Sequence, residues 1–390
     1  MVKAGDKIVL EISSLSSTGA GVGKIDGYVV FVKGALSGER VLAVVTSAKK
    51  TYATADTEEI MTQSPNRVAP VCRVKGCGGC PLKELAYAEQ LKHKLSTVNE
   101  TLRRIGGVDT ACGEIIGMEN PYHYRNKMVF HVQGGKIGFY AEGSHSIVPV
   151  SNCAISHKVN AKVIKTAGKS GEVLSEEILI RAAFNTEEVL ARPHFGLWEV
   201  DYIHERLGKA VFRVSAESFF QVNTYQAEKL YQTALEFAAP DENTRVVDAY
   251  CGAGAIALYF AVHAPVASVT GIEINEKAVA DAVTNAELNG VMNSEFICAP
   301  AESVLTEILA KGRATLVVDP PRAGCGKEFL RAVMENRDKI EKLVYVSCDT
   351  ATLARDLREL CGAGFEVMKV TAVDMFPHTS SIETVTLLGR

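Results

Sequence analysis

The second half of the chain repeats one pattern, in which a short apolar run ends in a polar or glycine-rich segment. The runs cover residues 245–248, 316–318 and 342–346, and helical patterns separate them from about residue 215 onward. Strands that alternate with helices are typical of a doubly wound parallel sheet. In such sheets ligands bind in the crevice outside the carboxyl ends of the strands. The polar segments after the three runs are therefore the candidates for a functional site.

The third run leads into Ser347-Cys348-Asp349-Thr350. Cys is the side chain best suited to covalent attack at neutral pH, so Cys348 at a strand end is a candidate nucleophile. Its thiol would need activation by Arg322, by Arg355 or by the start of a helix at residues 350–355. The alternative is a packed, buried thiol, which is a common fate of cysteine.

The second run leads into Asp319-Pro320-Pro321-Arg322, and the two prolines turn the chain out of the sheet. Asp319 is expected beside Cys348, where it could accept a hydrogen bond from a planar substrate. Residues 373–388 are predicted to form a hairpin that closes the sheet, with Glu383 at the start of its last strand. A carboxylate there could act as a general base in the same crevice, or could be a solvated loop residue.

The first run leads into Gly252-Ala253-Gly254, and a helix is predicted over residues 255–263. Two glycines let the backbone turn sharply against a ligand at the start of a helix. Glu273, at the end of the next strand, lies where an acidic group commonly binds ribose hydroxyls. Ala257 stands where dinucleotide-binding turns carry a third glycine. The pattern therefore favours a mononucleoside cofactor such as S-adenosylmethionine over NAD.

Composition sets limits on the class of protein. A chain of 390 residues exceeds one ordinary core, and 47% hydrophobic with 23% charged residues is usual for a globular protein. The formal charge of -4 gives no global signal for nucleic acid, although a local basic patch would suffice. The N-terminal residues show no signal peptide and no apolar run approaches a membrane span, so a cytoplasmic location is expected. Ten cysteines in such a chain favour reduced thiols with metal-binding or catalytic roles.

Residues 1–60 alternate apolar and polar positions between glycines, which predicts a small β-barrel. The predicted strands are residues 7–12, 27–32 and 40–45, and the predicted turns are residues 18–23 and 34–38. Lys49-Lys50-Thr51-Tyr52 is either a solvated edge or an RNA-binding surface. Residues 113–215 show a second set of mixed strands, including residues 124–132. Within that strand, Tyr124-Arg125-Asn126-Lys127 is either an RNA contact or the polar face of an ordinary strand.

Between these regions lies a cysteine cluster, Cys72-x₄-Cys77-x₂-Cys80, followed by a helix predicted over residues 82–105. Three glycines among the cysteines would let the backbone fold around an ion. Zinc and iron–sulfur clusters both accept four thiolates, so a fourth ligand must come from elsewhere in the chain. Cys112, Cys251, Cys298, Cys325 and Cys361 are expected to be small core residues.

Four segments together resemble the RNA uracil-5-methyltransferases that use S-adenosylmethionine. They are Ser347-Cys348-Asp349 with residues 350–356, residues 319–324, Phe219-Phe220-Gln221-Val222-Asn223, and the loop from His378 to Glu383. The resemblance implies that Cys348 is the nucleophile and Glu383 the proton acceptor. It also implies that Gln221, Tyr250, Glu273 and Asp319 contact the cofactor, and that Asp319 can face the target base.

The resemblance further implies an α/β fold with three domains. These are a TRAM-like, OB-like RNA-binding barrel at residues 1–60, a central mixed α+β iron–sulfur domain at residues 61–214, and a Rossmann-like class I methyltransferase domain at residues 215–390. It favours a [4Fe–4S] cluster over zinc, with Cys153 joining Cys72, Cys77 and Cys80 as the fourth ligand.

The expected partner is an RNA substrate, with 23S rRNA preferred and the T-loop uridine of tRNA as the alternative. A uridine inside folded RNA must be flipped into the pocket before its C6 can be attacked. Phe219 or Phe220 would stack on a base or belong to the core. A non-catalytic RNA-binding scaffold is the alternative from another class, and a monomer with no membrane contact is expected.

Overall fold

The computed structural model describes residues 2–169, 175–195 and 198–390. The chain packs as two compact units. The first comprises Met1–Thr97, Tyr140–Ser146 and Phe376–Ser380, and the second comprises Val98–Phe139, Ile147–Met375 and Ser381–Arg390. The division into three domains at residues 60 and 214 stays a prediction of the sequence.

The secondary-structure elements of the described residues follow in chain order. The strands of the first half are β1 (Lys7–Leu15), β2 (Gly21–Ile25), β3 (Tyr28–Lys33), β4 (Arg40–Ala48), β5 (Tyr52–Thr62), β6 (Glu114–Ile116), β7 (Lys127–Gln133), β8 (Lys136–Tyr140), β9 (Ile147–Pro149) and β10 (Glu177–Ala182). The later strands are β11 (Val189–Arg192), β12 (Tyr202–Leu207), β13 (Ala210–Ser215), β14 (Arg245–Ala249), β15 (Ser268–Glu273), β16 (Ser294–Cys298), β17 (Ala314–Val318), β18 (Ile340–Ser347), β19 (Glu366–Val373) and β20 (Glu383–Gly389). The helices are α1 (Tyr87–Thr101), α2 (Val159–Lys169), α3 (Thr224–Ala238), α4 (Ala255–His263), α5 (Glu276–Leu288), α6 (Ala301–Ala310), α7 (Lys327–Glu335) and α8 (Thr350–Gly362).

The first unit contains a closed five-stranded barrel in the order β1-β2-β3-β5-β4. Its interior is filled by alternate residues of the strands, among them Leu10, Val30 and Val41. The barrel confirms the fold predicted for residues 1–60. The turn predicted over residues 18–23 is wrong from Gly21 onward, because β2 begins there. A Cβ on Gly23 would lie 2.7 Å from the carbonyl oxygen of Glu11, so glycine here permits close strand contact rather than a turn.

A buried ion pair stabilises the first unit beside the barrel. Glu39 is 1% exposed, and its carboxylate accepts hydrogen bonds from the backbone N–H groups of Leu36 and Ser64 at 2.8 and 3.2 Å. The guanidinium of Arg67 donates to both oxygens of Glu39, at 2.6 and 2.9 Å, and also pairs with Glu84. Buried charges are tolerated when they are paired and fully hydrogen-bonded in this way.

The second unit contains a five-stranded sheet in the order β11-β10-β7-β8-β9 and a hairpin of β12 and β13. These antiparallel pairs confirm mixed strands in the central region. The strand predicted over residues 124–132 begins only at Lys127. Asn126 is buried just before it and donates through Nδ2 to the carbonyl oxygen of Gln221 at 3.0 Å, so this segment is fastened to the start of α3.

The large sheet of the second unit has the strand order β16-β15-β14-β17-β18-β20-β19-β6. Strands β14 to β18 pair in parallel, and β20 pairs antiparallel with both β18 and β19. This confirms the doubly wound sheet and its closing hairpin. The edge strand β6 was predicted to belong to the central region, and that prediction is wrong because β6 pairs with β19.

Helix α3 packs on β18, β19 and β20, and α4 packs on β14 and β15. The helix predicted over residues 82–105 begins later, at Tyr87, and ends in a π-helical turn at Leu102–Gly106. Within the described ranges, no helix combines the length and apolar character needed to cross a membrane.

Candidate active site

Strand register brings the predicted site residues to one edge of the large sheet. Ala249 of β14 pairs with Ile272 of β15 and with Val318 of β17. The next residues along the three strands are Tyr250, Glu273 and Asp319, so they lie side by side at the carboxyl ends. The strand order reverses between β14 and β17. A crevice at such a reversal is where open α/β sheets bind ligands.

Cys348 and Glu383 face each other at the same edge. The last pair between β18 and β20 is Ser347 with Thr384, and the Thr384 hydroxyl donates to the Ser347 carbonyl oxygen at 3.3 Å. One step further along the antiparallel register stand Cys348 and Glu383. Cys348 is the first residue after β18 and Glu383 is the first residue of β20, and the charge of Glu383 acts on the Cys348 thiol.

The electrostatics of this pair are dominated by burial. Glu383 is 2% exposed, and its Oε2 has no hydrogen-bond partner among the described residues. Burial and the charge of Asp319 raise the pKa of Glu383 well above its usual value, while Arg322 opposes the shift. Burial, Glu383 and Asp319 raise the pKa of Cys348 to about 11, again against Arg322. Cys348 is therefore a protonated thiol at neutral pH.

Arg322 fulfils one of the roles expected for it, since its charge favours the Cys348 thiolate. The guanidinium of Arg355 instead pairs with Asp356 at 2.7 Å and donates to the carbonyl oxygen of Ala323 at 2.9 Å. Asp356 also accepts hydrogen bonds from the Cys325 backbone and the Tyr345 hydroxyl, at 2.8 and 2.7 Å. Arg355 and Asp356 thus anchor the loop that carries Asp319 and Arg322 to α8.

The buried side of the crevice contains two residues that sequence reasoning did not select. Burial and the charges of Asp319, Asp248 and Glu383 raise the pKa of Tyr231, and the Gln221 side chain opposes the shift. Asp248 is fully buried and accepts from the Ala257 backbone N–H at 3.0 Å. Burial, Asp319 and Glu273 raise the pKa of Asp248. Tyr231 lies on the inner face of α3, and nothing in its local sequence distinguishes it from a core residue.

The turn after β14 has the geometry of a ligand-binding loop. Tyr250, Gly252 and Gly254 all have positive φ, at 65°, 53° and 77°. Glu273 accepts hydrogen bonds from the backbone N–H groups of Gly252 and Asn275, at 3.1 and 2.9 Å. A Cβ on Gly254 would lie 3.0 Å from the Phe296 ring, so glycine is required there both for its conformation and for space.

The two phenylalanines before Gln221 have different environments. Phe219 is 70% exposed, whereas Phe220 is 4% exposed and packs against Phe212 at a ring-centroid distance of 5.6 Å. Only Phe219 is therefore free to stack on a base. On β7 and the segment before it, Arg125 and Lys127 are half-buried, and burial together with Arg181 and Arg125 lowers the pKa of Lys127 to about 8.

The metal site expected at the cysteine cluster stays a prediction of the sequence. Cys72, Cys77 and Cys80 lie in the first unit and Cys153 in the second, and none forms a disulfide. In the ranges that the structure describes, no group of three or more His, Cys, Asp or Glu side chains is arranged to hold a metal ion. Of the cysteines expected in the core, Cys298 is exposed and Cys361 is half-buried, while Cys112, Cys251 and Cys325 are buried.

Comparison with known proteins decides the family. The sequence profile described as tRNA (Uracil-5-)-methyltransferase matches residues 196–390, and that of the TRAM domain matches residues 2–57. An uncharacterized RNA methyltransferase from Caldanaerobacter subterraneus subsp. tengcongensis is 37% identical, and the alignment covers 100% of this chain and 99% of the relative. This chain belongs to the tRNA (uracil-5-)-methyltransferase family. It is an S-adenosylmethionine-dependent RNA methyltransferase, and its barrel is a TRAM domain.

Two further proteins are similar over their full lengths. An uncharacterized RNA methyltransferase from Halalkalibacterium halodurans is 38% identical, over 99% of this chain and 98% of the relative. The crystal structure of a Pyrococcus abyssi tRNA (uracil-54, C5)-methyltransferase in complex with S-adenosyl-L-homocysteine superposes with a TM-score of 0.78. It is 26% identical, and the match covers 98% of this methyltransferase and 100% of that chain.

Proposed function

We propose that this methyltransferase transfers a methyl group from S-adenosylmethionine to C5 of a specific uridine in RNA through a covalent adduct between Cys348 and C6 of the base. The observation that carries the proposal is the register of β18 and β20, which sets Cys348 and Glu383 one step beyond the pair of Ser347 with Thr384, with Asp319 at the end of the neighbouring β17. The thiol at the strand end supplies the nucleophile. The buried carboxylate supplies the general base, and the second carboxyl group supplies a group that orients the uracil ring.

The chemistry explains why a thiol is required. C5 of uracil is a poor nucleophile, but addition of Cys348 Sγ to C6 moves negative charge onto O4 and C5. C5 then attacks the methyl carbon, and the donor leaves as S-adenosylhomocysteine. Glu383 removes the C5 proton, the C5–C6 double bond re-forms and Sγ leaves as a thiolate. The net change exchanges one C5 proton for one methyl group.

Proton transfers in this scheme follow from the electrostatics. Because the pKa of Cys348 is raised to about 11, its thiol must lose a proton as the Sγ–C6 bond forms. The Asp319–Glu383 pair, whose pKa values are both raised, is the adjacent acceptor and passes that proton to solvent. Glu383 is then a carboxylate again when the C5 proton must be removed. Arg322 stabilises the negative charge at each stage.

The cofactor is proposed to lie across the reversal of strand order, above the turn at residues 250–254. Gln221, Tyr250, Glu273 and Asp319 contact it there. Glu273 is already aligned by two backbone hydrogen bonds, so its position is set before ribose hydroxyls arrive. Asp319 lies between Tyr250 and Cys348 along the sheet edge, which suits a residue that contacts both the cofactor and the target base.

We propose a uridine of 23S rRNA as the substrate, because the combination of a barrel and a cysteine cluster resembles the rRNA enzymes of the family. A tRNA T-loop uridine is the second candidate, and the Pyrococcus abyssi enzyme favours it. That tRNA methyltransferase matches 98% of this chain, including the barrel region, so the barrel alone does not distinguish the two RNAs.

The substrate test uses anaerobically purified protein, S-adenosylmethionine labelled with tritium in the methyl group, and unmodified transcripts of 23S rRNA and of tRNA. Label in 5-methyluridine from 23S rRNA alone supports the first candidate, and label from tRNA alone moves the substrate to the T-loop. Absence of label in 5-methyluridine from both RNAs contradicts the proposed function and favours the RNA-binding scaffold.

The [4Fe–4S] cluster on Cys72, Cys77, Cys80 and Cys153 stays a prediction of the sequence, supported by the three closely spaced thiols. No step of the proposed mechanism passes through it. Iron and sulfide analysis of anaerobically purified protein, with Cys77→Ser compared to Cys112→Ser, tests it. Four iron atoms per chain that are lost only in Cys77→Ser would establish the cluster.

A further inference from the structure

A second concave site lies in the same unit as the candidate active site. The described residues enclose a cavity of about 630 Å³ between the first turns of α3, residues 117–123 and residues 157–158. We call it the α3 cavity. Its lining includes His123, His157, Lys158, Phe184, Tyr225 and Lys229. It includes none of Cys348, Glu383, Asp319 or the proposed cofactor contacts. Cavities of this size suit a ligand as large as a nucleotide.

Three rings form a continuous wall of the α3 cavity. The ring of Phe184 lies 4.7 Å from that of His157 and 5.1 Å from that of Tyr225, measured between centroids. Tyr225 is 52% exposed, which is unusual for a large ring in a helix that otherwise packs on the sheet. Open aromatic faces are the stacking platforms on which single-stranded nucleic acids place their bases.

The two histidines can present one donor and one acceptor. The Val159 backbone N–H donates to Nδ1 of His157 at 3.3 Å, which leaves the proton of the neutral ring on Nε2. Nδ1 of His123 lies 3.0 Å from the carbonyl oxygen of Ser156, so it must donate and leaves Nε2 as an acceptor. Burial, His123 and Lys158 lower the pKa of His157, which favours its neutral form. Base edges alternate donors and acceptors in the same way.

Backbone strain and charge also point to a ligand. His123 has φ of 57°, a left-handed conformation that costs energy for a residue with a side chain and is concentrated at functional sites. Lys158 and Lys229 are both exposed, so their ammonium groups can meet phosphates. Proteins recognise single-stranded RNA with aromatic rings that stack on bases, with donor and acceptor groups that bind base edges, and with lysines that bind phosphates. The α3 cavity has all three.

We propose that the α3 cavity binds a second nucleotide of the RNA substrate, one that is extruded from its stack but not methylated. The proposal rests on the proposed function, because it takes the ligand from the same RNA. Tyr225 lies four residues after Gln221, and four extended residues span at most about 14 Å. A nucleotide in the cavity and the target uridine are therefore within reach of one short RNA segment, whose refolding would expose both.

Binding and cross-linking test the proposal with the full-length protein and transcripts of 23S rRNA and of tRNA. Tyr225→Ala should raise the Kd for the bound RNA roughly tenfold, as expected for loss of one stacked base. Tyr225→Phe keeps the ring and should bind like the unaltered protein, as should Tyr202→Ala, which removes an exposed ring outside the cavity. Lys229→Ala should lower the slope of log Kd against log salt concentration by about 1, which is the contribution of one phosphate contact. Lys311→Ala should leave this slope unchanged.

A photoreactive p-benzoylphenylalanine in place of Tyr225 should cross-link to a nucleotide other than the methylated uridine. The same group in place of Met292, which is 92% exposed, controls for accessibility alone. The proposal is overturned if Tyr225→Ala binds RNA with unchanged affinity and position 225 gives no cross-link. It is also overturned if position 225 cross-links to the target uridine itself. Methyl transfer to the same RNA is measured in parallel. Methyl transfer without a cross-link contradicts only the second-nucleotide site. A cross-link without methyl transfer contradicts only the proposed function. Failure of both transcripts to bind contradicts both.

Discussion

Cys348 and Glu383 lie one step beyond Ser347 and Thr384, the last pair that β18 and β20 form. Their separation in sequence is large, yet strand register alone makes them neighbours. Because Glu383 is buried and its charge raises the pKa of Cys348, the two groups influence each other before any substrate binds. In the proposed mechanism, the thiol first activates the uracil ring. The carboxylate then removes the C5 proton, which releases the product.

Replacement of the nucleophile gives the first prediction. Cys348→Ala should lose methyl transfer to RNA completely, because C5 of uracil is not activated without the Sγ–C6 bond. Binding of S-adenosylmethionine should stay unchanged, since the proposed cofactor contacts lie before α3 and at the ends of β14, β15 and β17. Tritium transfer and calorimetric titration measure the two quantities. Any turnover by this variant above that of a heat-denatured sample argues against a covalent mechanism.

The thiol should respond to its charged neighbours in opposite directions. With its pKa raised to about 11, Cys348 should be alkylated by iodoacetamide at a rate that rises about tenfold per pH unit from neutral pH. Glu383→Gln removes the carboxylate that contributes to this shift and should lower the pKa of Cys348, so alkylation becomes faster at alkaline pH. Arg322→Ala removes a positive charge and should slow it. Mass spectrometry of the peptide that contains Cys348 reports the rate, and equal rates in both variants contradict the electrostatic account.

Two neighbouring glycines should differ in their tolerance of alanine. Gly252 and Gly254 both have positive φ. A Cβ added at position 252 would have no neighbouring atom within 4 Å, whereas one added at position 254 would lie 3.0 Å from Phe296 and 3.1 Å from Ala282. Gly252→Ala should lower the free energy of unfolding by about 1–2 kcal/mol through backbone strain alone. Gly254→Ala adds about 1–3 kcal/mol of overpacking and displaces the start of α4. Denaturant titration compares the variants, and equal losses contradict the crowding at Gly254.

The buried ion pair of the first unit gives a stability prediction with an internal control. Glu39→Ala should destabilise the barrel by about 3–5 kcal/mol, because it leaves the buried Arg67 charge without its main partner. Glu58→Ala breaks the exposed pair with Lys7, whose side chains are 39% and 61% exposed, and should cost less than about 1 kcal/mol. Hydrogen exchange of barrel peptides measures both, and similar protection in the two variants contradicts the role of Glu39.

The same carboxylate sets a pH dependence. Burial would raise the pKa of Glu39, but hydrogen bonds from Arg67 and from backbone N–H groups outweigh it, and the net pKa is lowered. A group whose pKa is lowered on folding contributes stability above its unfolded pKa, about 4.3 for Glu. That contribution is lost as the pH falls through the folded value. Barrel protection should therefore decline on acidification below about pH 4.3 in the unaltered protein and less in Glu39→Ala.

Local patterns sufficed to predict much of the large sheet and the residues at its edge. The helix at Ala255–His263 matches its predicted bounds, and Glu273 ends the next strand, as predicted. Doubly wound topology predicted β17 beside β18, and hence Asp319 near Cys348. These features depend on short-range sequence and on general rules of chain connection.

Other features depend on contacts that no local pattern encodes. β6 has three residues, too few for periodicity, and joins the sheet through a partner 257 positions away, with Glu114 opposite Thr371. Tyr231 reaches the carboxylates only because α3 packs on β18 and β20. Arg355 was a candidate activator from its place after Cys348, but its pairing with Asp356 is a tertiary contact. The α3 cavity likewise forms from segments that are distant in sequence.

The measurement that tests the central claim most directly is adduct formation by Glu383→Gln. This variant should add Cys348 to C6 and methylate C5 but fail to remove the C5 proton, so protein and RNA stay joined after denaturation. Nuclease digestion and mass spectrometry should then find a methylated uridine nucleotide on the peptide that contains Cys348. The double variant Cys348→Ala with Glu383→Gln should give no adduct. An unmodified Cys348 in Glu383→Gln, with free 5-methyluridine formed at the normal rate, would contradict the account.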